Sequence, residues 1–159
     1  MIRALARPTG GLGSYNSAMP FLGDALVRSF VLHDGETMIV NGAVLRVPVA
    51  TEVIVDNRAT VLRGDAIMDA GQATSPARRL YYACLQAYVG QDVVAQQRQI
   101  VADLGQLLER QGDDAARAAS VRFANAVASC DYVRGLRECL TLMEQEGVPA
   151  RDIAAMLAA

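Results

Sequence analysis

The side chains with the most chemistry to offer are arginines. All 15 basic residues are arginine, lysine is absent, and the one histidine is His33. A guanidinium is planar, forked and permanently charged. It suits phosphate oxygens and the edge of guanine, and it stacks on flat rings. Arg78 and Arg79 are followed by Leu80 and then Tyr81 and Tyr82. Arginine interleaved with aromatic rings is a pattern that binds single-stranded RNA through charge and stacking. The same four residues also suit a plainer arrangement: two solvated helix charges followed by a core and a boundary tyrosine. Arg28, Arg46, Arg58 and Arg63 fall on or beside predicted strands.

The rest of the inventory mostly excludes. Without lysine there is no Walker-A phosphate loop, no Schiff-base lysine and no lysine general base. One histidine rules out a His–His zinc site and a two-histidine acid–base pair. A Ser–His–Asp set would have to use His33 beside Asp34, and no G-x-S-x-G turn accompanies it. Asp113-Asp114 stand at a predicted helix start, where capping and the helix dipole account for them. No nucleophile and base can be paired, so the sequence points away from an enzyme and assigns no catalytic residue, cofactor or metal. Cys84, Cys130 and Cys139 are odd in number and form no C-x-x-C. They read as reduced thiols of a cytoplasmic protein. No run of about 18 apolar residues exists to span a membrane, and no secretory signal is evident. The net charge is −2, so any nucleic-acid contact must use a local patch.

These residues need elements to hold them. Residues 1–27 carry Pro8, Gly10, Gly11, Gly13 and Pro20 and read as a flexible lead-in. Residues 28–71 read as a small β domain with strands Ser29–Leu32, Thr37–Val40, Ala43–Val47, Glu52–Asp56 and Ala59–Arg63. Asn41-Gly42 is its clearest hairpin signal, because both residues tolerate positive φ. Five such short strands cannot cover both faces of a sheet alone, so the sheet should pack on helices or on a second copy. Residues 72–159 read as a helical domain. Ser75-Pro76 opens the first helix, the second runs over about Gln91–Gln111, the third over about Asp114–Ser129, and the fourth starts at Asp131. A last short helix is expected over Arg151–Leu157. The fold class is therefore α+β: a small five-stranded antiparallel sheet or barrel followed by a bundle of about four helices.

Several of these segments, in order, resemble the FlbT family of flagellar regulators. They are Asp34-Gly35-Glu36 with Asn41-Gly42-Ala43-Val44, then Asp56-Asn57-x-Ala59-x-x-Leu62-Arg63, Asp65-Ala66-Ile67-Met68, and Ser75-Pro76 with Tyr81-Tyr82 and Gln86. Ser75 and Tyr82 stand where that family usually has threonine and phenylalanine. The resemblance implies post-transcriptional control of flagellin in flagellum biogenesis. Its mode would be binding to the 5′ untranslated region of flagellin mRNA, with effects on translation and decay. The strand region also resembles the CsrA family of RNA-binding translational repressors, through Gly35-Glu36-Thr37 and Val61-x-Arg63-x-x-Ala66-Ile67. That likeness implies a CsrA-like β unit that forms a homodimer, with Arg63 as the RNA-reading arginine. The candidate RNA-binding residues are thus Arg63, Arg46, Arg58, Arg28, Arg78 and Arg79. A different class of function is an adaptor or chaperone that grips flagellin or another flagellar factor through the helical half. Leu104, Leu108, Leu136 and Leu140 motivate it.

Overall fold

The computed structural model describes residues 2–5, 28–110 and 112–147. They fall into two compact units that divide between Ile67 and Met68. The class is α+β, with strands preceding four helices.

The first unit holds β1 (Ile2–Leu5), β2 (Arg28–Leu32), β3 (Thr37–Val40), β4 (Ala43–Arg46), β5 (Thr51–Val55) and β6 (Val61–Arg63). All pairings are antiparallel. The strands do not close into one barrel. They form two three-stranded sheets, ordered β1-β5-β2 and β4-β3-β6. The chain changes sheet three times, between β2 and β3, between β4 and β5, and between β5 and β6; in the second switch, residues 47–50, Pro48 has no N–H to continue a ladder. Alternation then decides what is inside. Met38, Val40 and Val61 of one sheet cluster with Leu32 and Val53 of the other, and Phe30, Leu45, Val47 and Ala59 pack around them.

One strand departs from expectation. Ile2–Leu5 lies in the stretch read as a flexible lead-in, yet it pairs with β5, Ile2 opposite Val55. Four residues carry too little alternation to announce a strand, and the ladder edge of β5 supplies the order. The remainder of that stretch, 6–27, and the expected helix at Arg151–Leu157 lie outside the described residues.

The hairpin signal at Asn41-Gly42 is realised, with φ of 48° and 82°. Asn41 does more than turn the chain. Its side chain accepts from the Thr60 N–H at 2.9 Å, and its own N–H donates to the Thr60 carbonyl at 2.9 Å. The hairpin is thereby fastened to the entry of β6.

The second unit holds α1 (Pro76–Tyr88), α2 (Val93–Arg110), α3 (Asp114–Ala128) and α4 (Tyr132–Gln145). The cap residues act as their types require: Ser75 accepts from the Arg78 N–H and Asp131 from the Arg134 N–H. Helix α1 packs on α2 and α4, and α3 packs on α4. The α1–α4 approach is close because position 135 is glycine. A Cβ there would stand 2.9 Å from Cys84 Sγ and 3.4 Å from a Val127 methyl. The two ends of the unit are also tied. Ser75 Oγ donates to the Glu146 carboxylate, and the Ala77 N–H donates to its other oxygen at 3.0 Å. A residue just past α4 thus places negative charge at the N-terminus of α1, where the dipole favours it. Leu136 and Leu140 are buried within this unit, whereas Leu104 and Leu108 are half-exposed.

Burial sets the thiols apart. Burial, with a smaller contribution from Asp131, pushes the Cys84 thiol up to about 12, and burial raises that of Cys139 as well. Cys130 is exposed. Because the thiolate is the nucleophile, a disulfide-exchange reagent at pH 8 is expected to titrate Cys130 in the native chain and all three cysteines only after denaturation. Gly135→Ala is expected to lower stability in urea unfolding by about 1–2 kcal/mol. Overpacking outweighs the roughly 1 kcal/mol that alanine gains in a helix.

Candidate nucleic-acid interface

The turn between β2 and β3, residues 33–36, organises one end of the strand unit. Gly35 has φ of 73°, a conformation that glycine adopts without strain. Its N–H donates to the Val47 carbonyl at 2.8 Å, and the Glu36 N–H donates to the His33 carbonyl at 2.9 Å. Asp34 reaches to the sheet-switching segment 47–50, where its carboxylate accepts from the Ala50 N–H. Glu36 uses both oxygens: one accepts from the His33 N–H at 2.8 Å, the other meets Arg63 Nη2 at 2.9 Å.

Arg63 therefore enters this turn from β6. Besides Glu36, its guanidinium donates to the Val31 carbonyl at 3.3 Å and lies 5.8 Å from the centroid of the Phe30 ring. That is cation–π range. Arg63 and Glu36 keep 26% and 23% of their side-chain surface in solvent. The residue is thus a clamp between the two sheets with part of its face still open.

Arg46 arrives from the other side. It stands opposite Thr37 across the β3–β4 ladder, whereas Arg63 stands opposite Met38 across the β3–β6 ladder. Adjacent positions of a strand face opposite ways, so the two arginines flank β3 on opposite faces. Arg46 is exposed, and its Nη2 lies 4.0 Å from where a Gly35 Cβ would be. Two arginines thus converge on the 33–36 turn, one bound into it and one above it.

The other four candidates are not brought to this turn. Arg28 opens β2 opposite Val55, and Arg58 follows β5, so both lie at the far end of the strands. Arg28 is half-buried and Arg58 is exposed. Arg78 and Arg79 belong to the helical unit. Arg79 Nε meets the buried Asp103 at 3.2 Å, whose second oxygen accepts from Gln99 at 3.0 Å. It joins α1 to α2. Arg78 is half-buried and reaches the Gln72 carbonyl at 3.5 Å. Tyr81 is fully buried, and burial raises its hydroxyl pKa, so it packs as core rather than as a stacking platform. The Arg–Tyr pattern of α1 is thus spent inside the helical unit. Sequence reasoning did not identify Glu36, Phe30 or Asp103 as partners. An acid directly after Asp34-Gly35 was the visible hint for Glu36.

Among the described residues no group of three metal-ligating side chains occurs, and no helix is long and apolar enough to cross a membrane. Fold and site together define a two-unit α+β protein whose small strand unit presents paired arginines on a fixed turn. The profile of the FlbT family, described as Flagellar protein FlbT, matches residues 29–148, and the chain belongs to that family. It is 41% identical over 59 residues to the "Probable flagellum biosynthesis repressor protein FlbT" of Caulobacter sp. (strain K31). That match covers 36% of this chain and 45% of the relative, so it spans about half of the relative's length. No solved structure matches.

The clamp has a measurable energy. A half-exposed ion pair and a cation–π contact are each worth about 0.5–1 kcal/mol. Arg63→Ala is therefore expected to destabilise the chain by about 1–2 kcal/mol in urea unfolding. In a double-mutant cycle with Glu36→Ala, a coupling of about 0.5–1 kcal/mol is expected; additivity would mean that the pair contributes nothing.

Proposed function

We propose that this chain is a post-transcriptional regulator of flagellin synthesis. It would bind the 5′ untranslated region of flagellin mRNA through the strand unit and control translation and decay of that message. Family membership supports the flagellar setting, and the relative from Caulobacter is named as a repressor of flagellum biosynthesis. One observation carries the RNA contact: Arg46 stands exposed over the 33–36 turn and makes no ion pair among the described residues.

Three acids of this region are held in place by an ion pair or a hydrogen bond. Glu36 is held by Arg63, Asp34 by the Ala50 N–H, and Glu52 accepts from Ser29 Oγ at 2.6 Å. In this reading Arg46 makes the first phosphate or guanine contact. Arg63 holds the turn rigid and offers its open face second, and Arg58 extends the contact at the far end. Phosphate contacts then supply affinity, and base-edge contacts supply selectivity. Few arginines share the work, so binding is of modest strength and sensitive to salt.

The test is titration of a flagellin leader RNA against the full chain at several salt concentrations. Arg46→Ala is expected to weaken binding by about 1–3 kcal/mol and to reduce the salt slope by about 1, with thermal stability unchanged. Full affinity in both Arg46→Ala and Arg63→Ala would remove this site.

A further inference from the structure

Helix α2 has a second face that the helical unit leaves open. Ile100, Asp103 and Leu107 are its buried side. Next to them runs a stripe in which Val94 is 59% and Val101 73% exposed. Leu104 and Leu108 are half-exposed, and Gly105 is exposed between them. Positions 94, 97/98, 101, 104/105 and 108 recur in steps of three and four, the spacing of a helix–helix seam. At 1.5 Å per residue the seam is about 21 Å long. Val94, Gln97, Arg98 and Val101 line a shallow hollow along it.

Gly105 is the informative residue. It sits in the interior of an 18-residue helix, where glycine is disfavoured relative to alanine. Yet a Cβ there would meet nothing within 4 Å. Gly135 is required by the packing of its own chain; Gly105 is not. A small residue in the middle of an apolar stripe leaves room for something outside the chain.

The charges along the seam indicate what that is. Arg98 and Glu109 lie three turns apart on the same flank, are exposed, and form no ion pair among the described residues. A two-fold axis near Asp103 would set Arg98 against Glu109 of an antiparallel copy, and Glu109 against its Arg98. The same axis sets Val101 over Gly105 of the copy. The midpoints of the ion pair and the knob-in-hole contact fall about half a residue, under 1 Å, apart, and antiparallel helices also oppose their dipoles favourably. Self-complementarity about a single point is what an isologous dimer requires.

We propose that the outer face of α2 is a homodimer interface, in which α2 packs antiparallel on α2 of a second copy. The proposal does not depend on RNA binding. It is tested by sedimentation of the full chain in a Cys130→Ser background, so that no exposed thiol can crosslink. The wild-type surface should give a reversible dimer. Val101→Asp should give a folded monomer whose melting curve no longer shifts with protein concentration, since Val101 touches little of its own fold. Arg98→Glu and Glu109→Arg should each weaken the dimer about 10-fold, and the double reversal should restore it to within about 3-fold. A wild-type chain that is monomeric at all concentrations overturns the proposal and leaves the face to another protein. A dimer indifferent to Val101→Asp, or charge reversals that do not rescue each other, overturns it as well.

Discussion

A carboxylate between two sheets carries more of this structure than its size suggests. The strands are three to five residues long, and neither three-stranded sheet is wide enough to stand alone. Their shared core is small. At the open end of that core Glu36 closes the turn out of β2 and fixes Arg63 of β6, which in turn bonds a β2 carbonyl and covers Phe30. Two strands and the turn out of one of them meet at this one ion pair. Its Coulomb energy is modest at this exposure; its value lies in geometry, because it ties β6 to the turn over which Arg46 stands, itself placed by the β3–β4 ladder.

The same pair shapes the electrostatics of the surface. The region 28–64 has four arginines and four acids, a balance that would suggest no field at all. The turn repeats that balance. Arg63 and Glu36 cancel each other nearby, and Arg46 stands over the same turn as the exposed carboxylate of Asp34. What sets Arg46 apart is its exposure, not a net positive field at the turn. That is a reasonable design for a selective contact rather than a strong one.

Much of the architecture was legible from local chemistry. Asn41-Gly42 specified a hairpin because only such residues take two positive φ values, and Ser75-Pro76 specified a helix start because cap and ring both fit there. What was hidden is non-local. That Arg63 would find Glu36, or Arg79 the buried Asp103, follows from pairings 27 and 24 residues apart that no spacing rule encodes. In α2, likewise, Asp103 takes a core position because Arg79 pairs with it across the helices, while Val101 faces solvent. The division into two sheets depended on how strands pair, which strand propensity does not report. The segments that resemble the FlbT family hold turns: Asp34, Gly35 and Glu36 build the one between β2 and β3, and Asn41 builds the β3–β4 hairpin, while Arg46 stands exposed beside them.

The tie from Glu146 to Ser75 and Ala77 has a consequence for how the helical unit opens. Chain ends ordinarily fray one turn at a time, each end independently. Here the last turn of α4 and the first turn of α1 share hydrogen bonds across 69 and 71 residues of sequence. If the end of α4 loosens, the Ala77 N–H and the Ser75 hydroxyl lose their acceptor, and if α1 loosens, the Glu146 carboxylate loses both donors. The unit therefore behaves as a closed loop of helices, whose weakest points move from its two termini to the connections between helices.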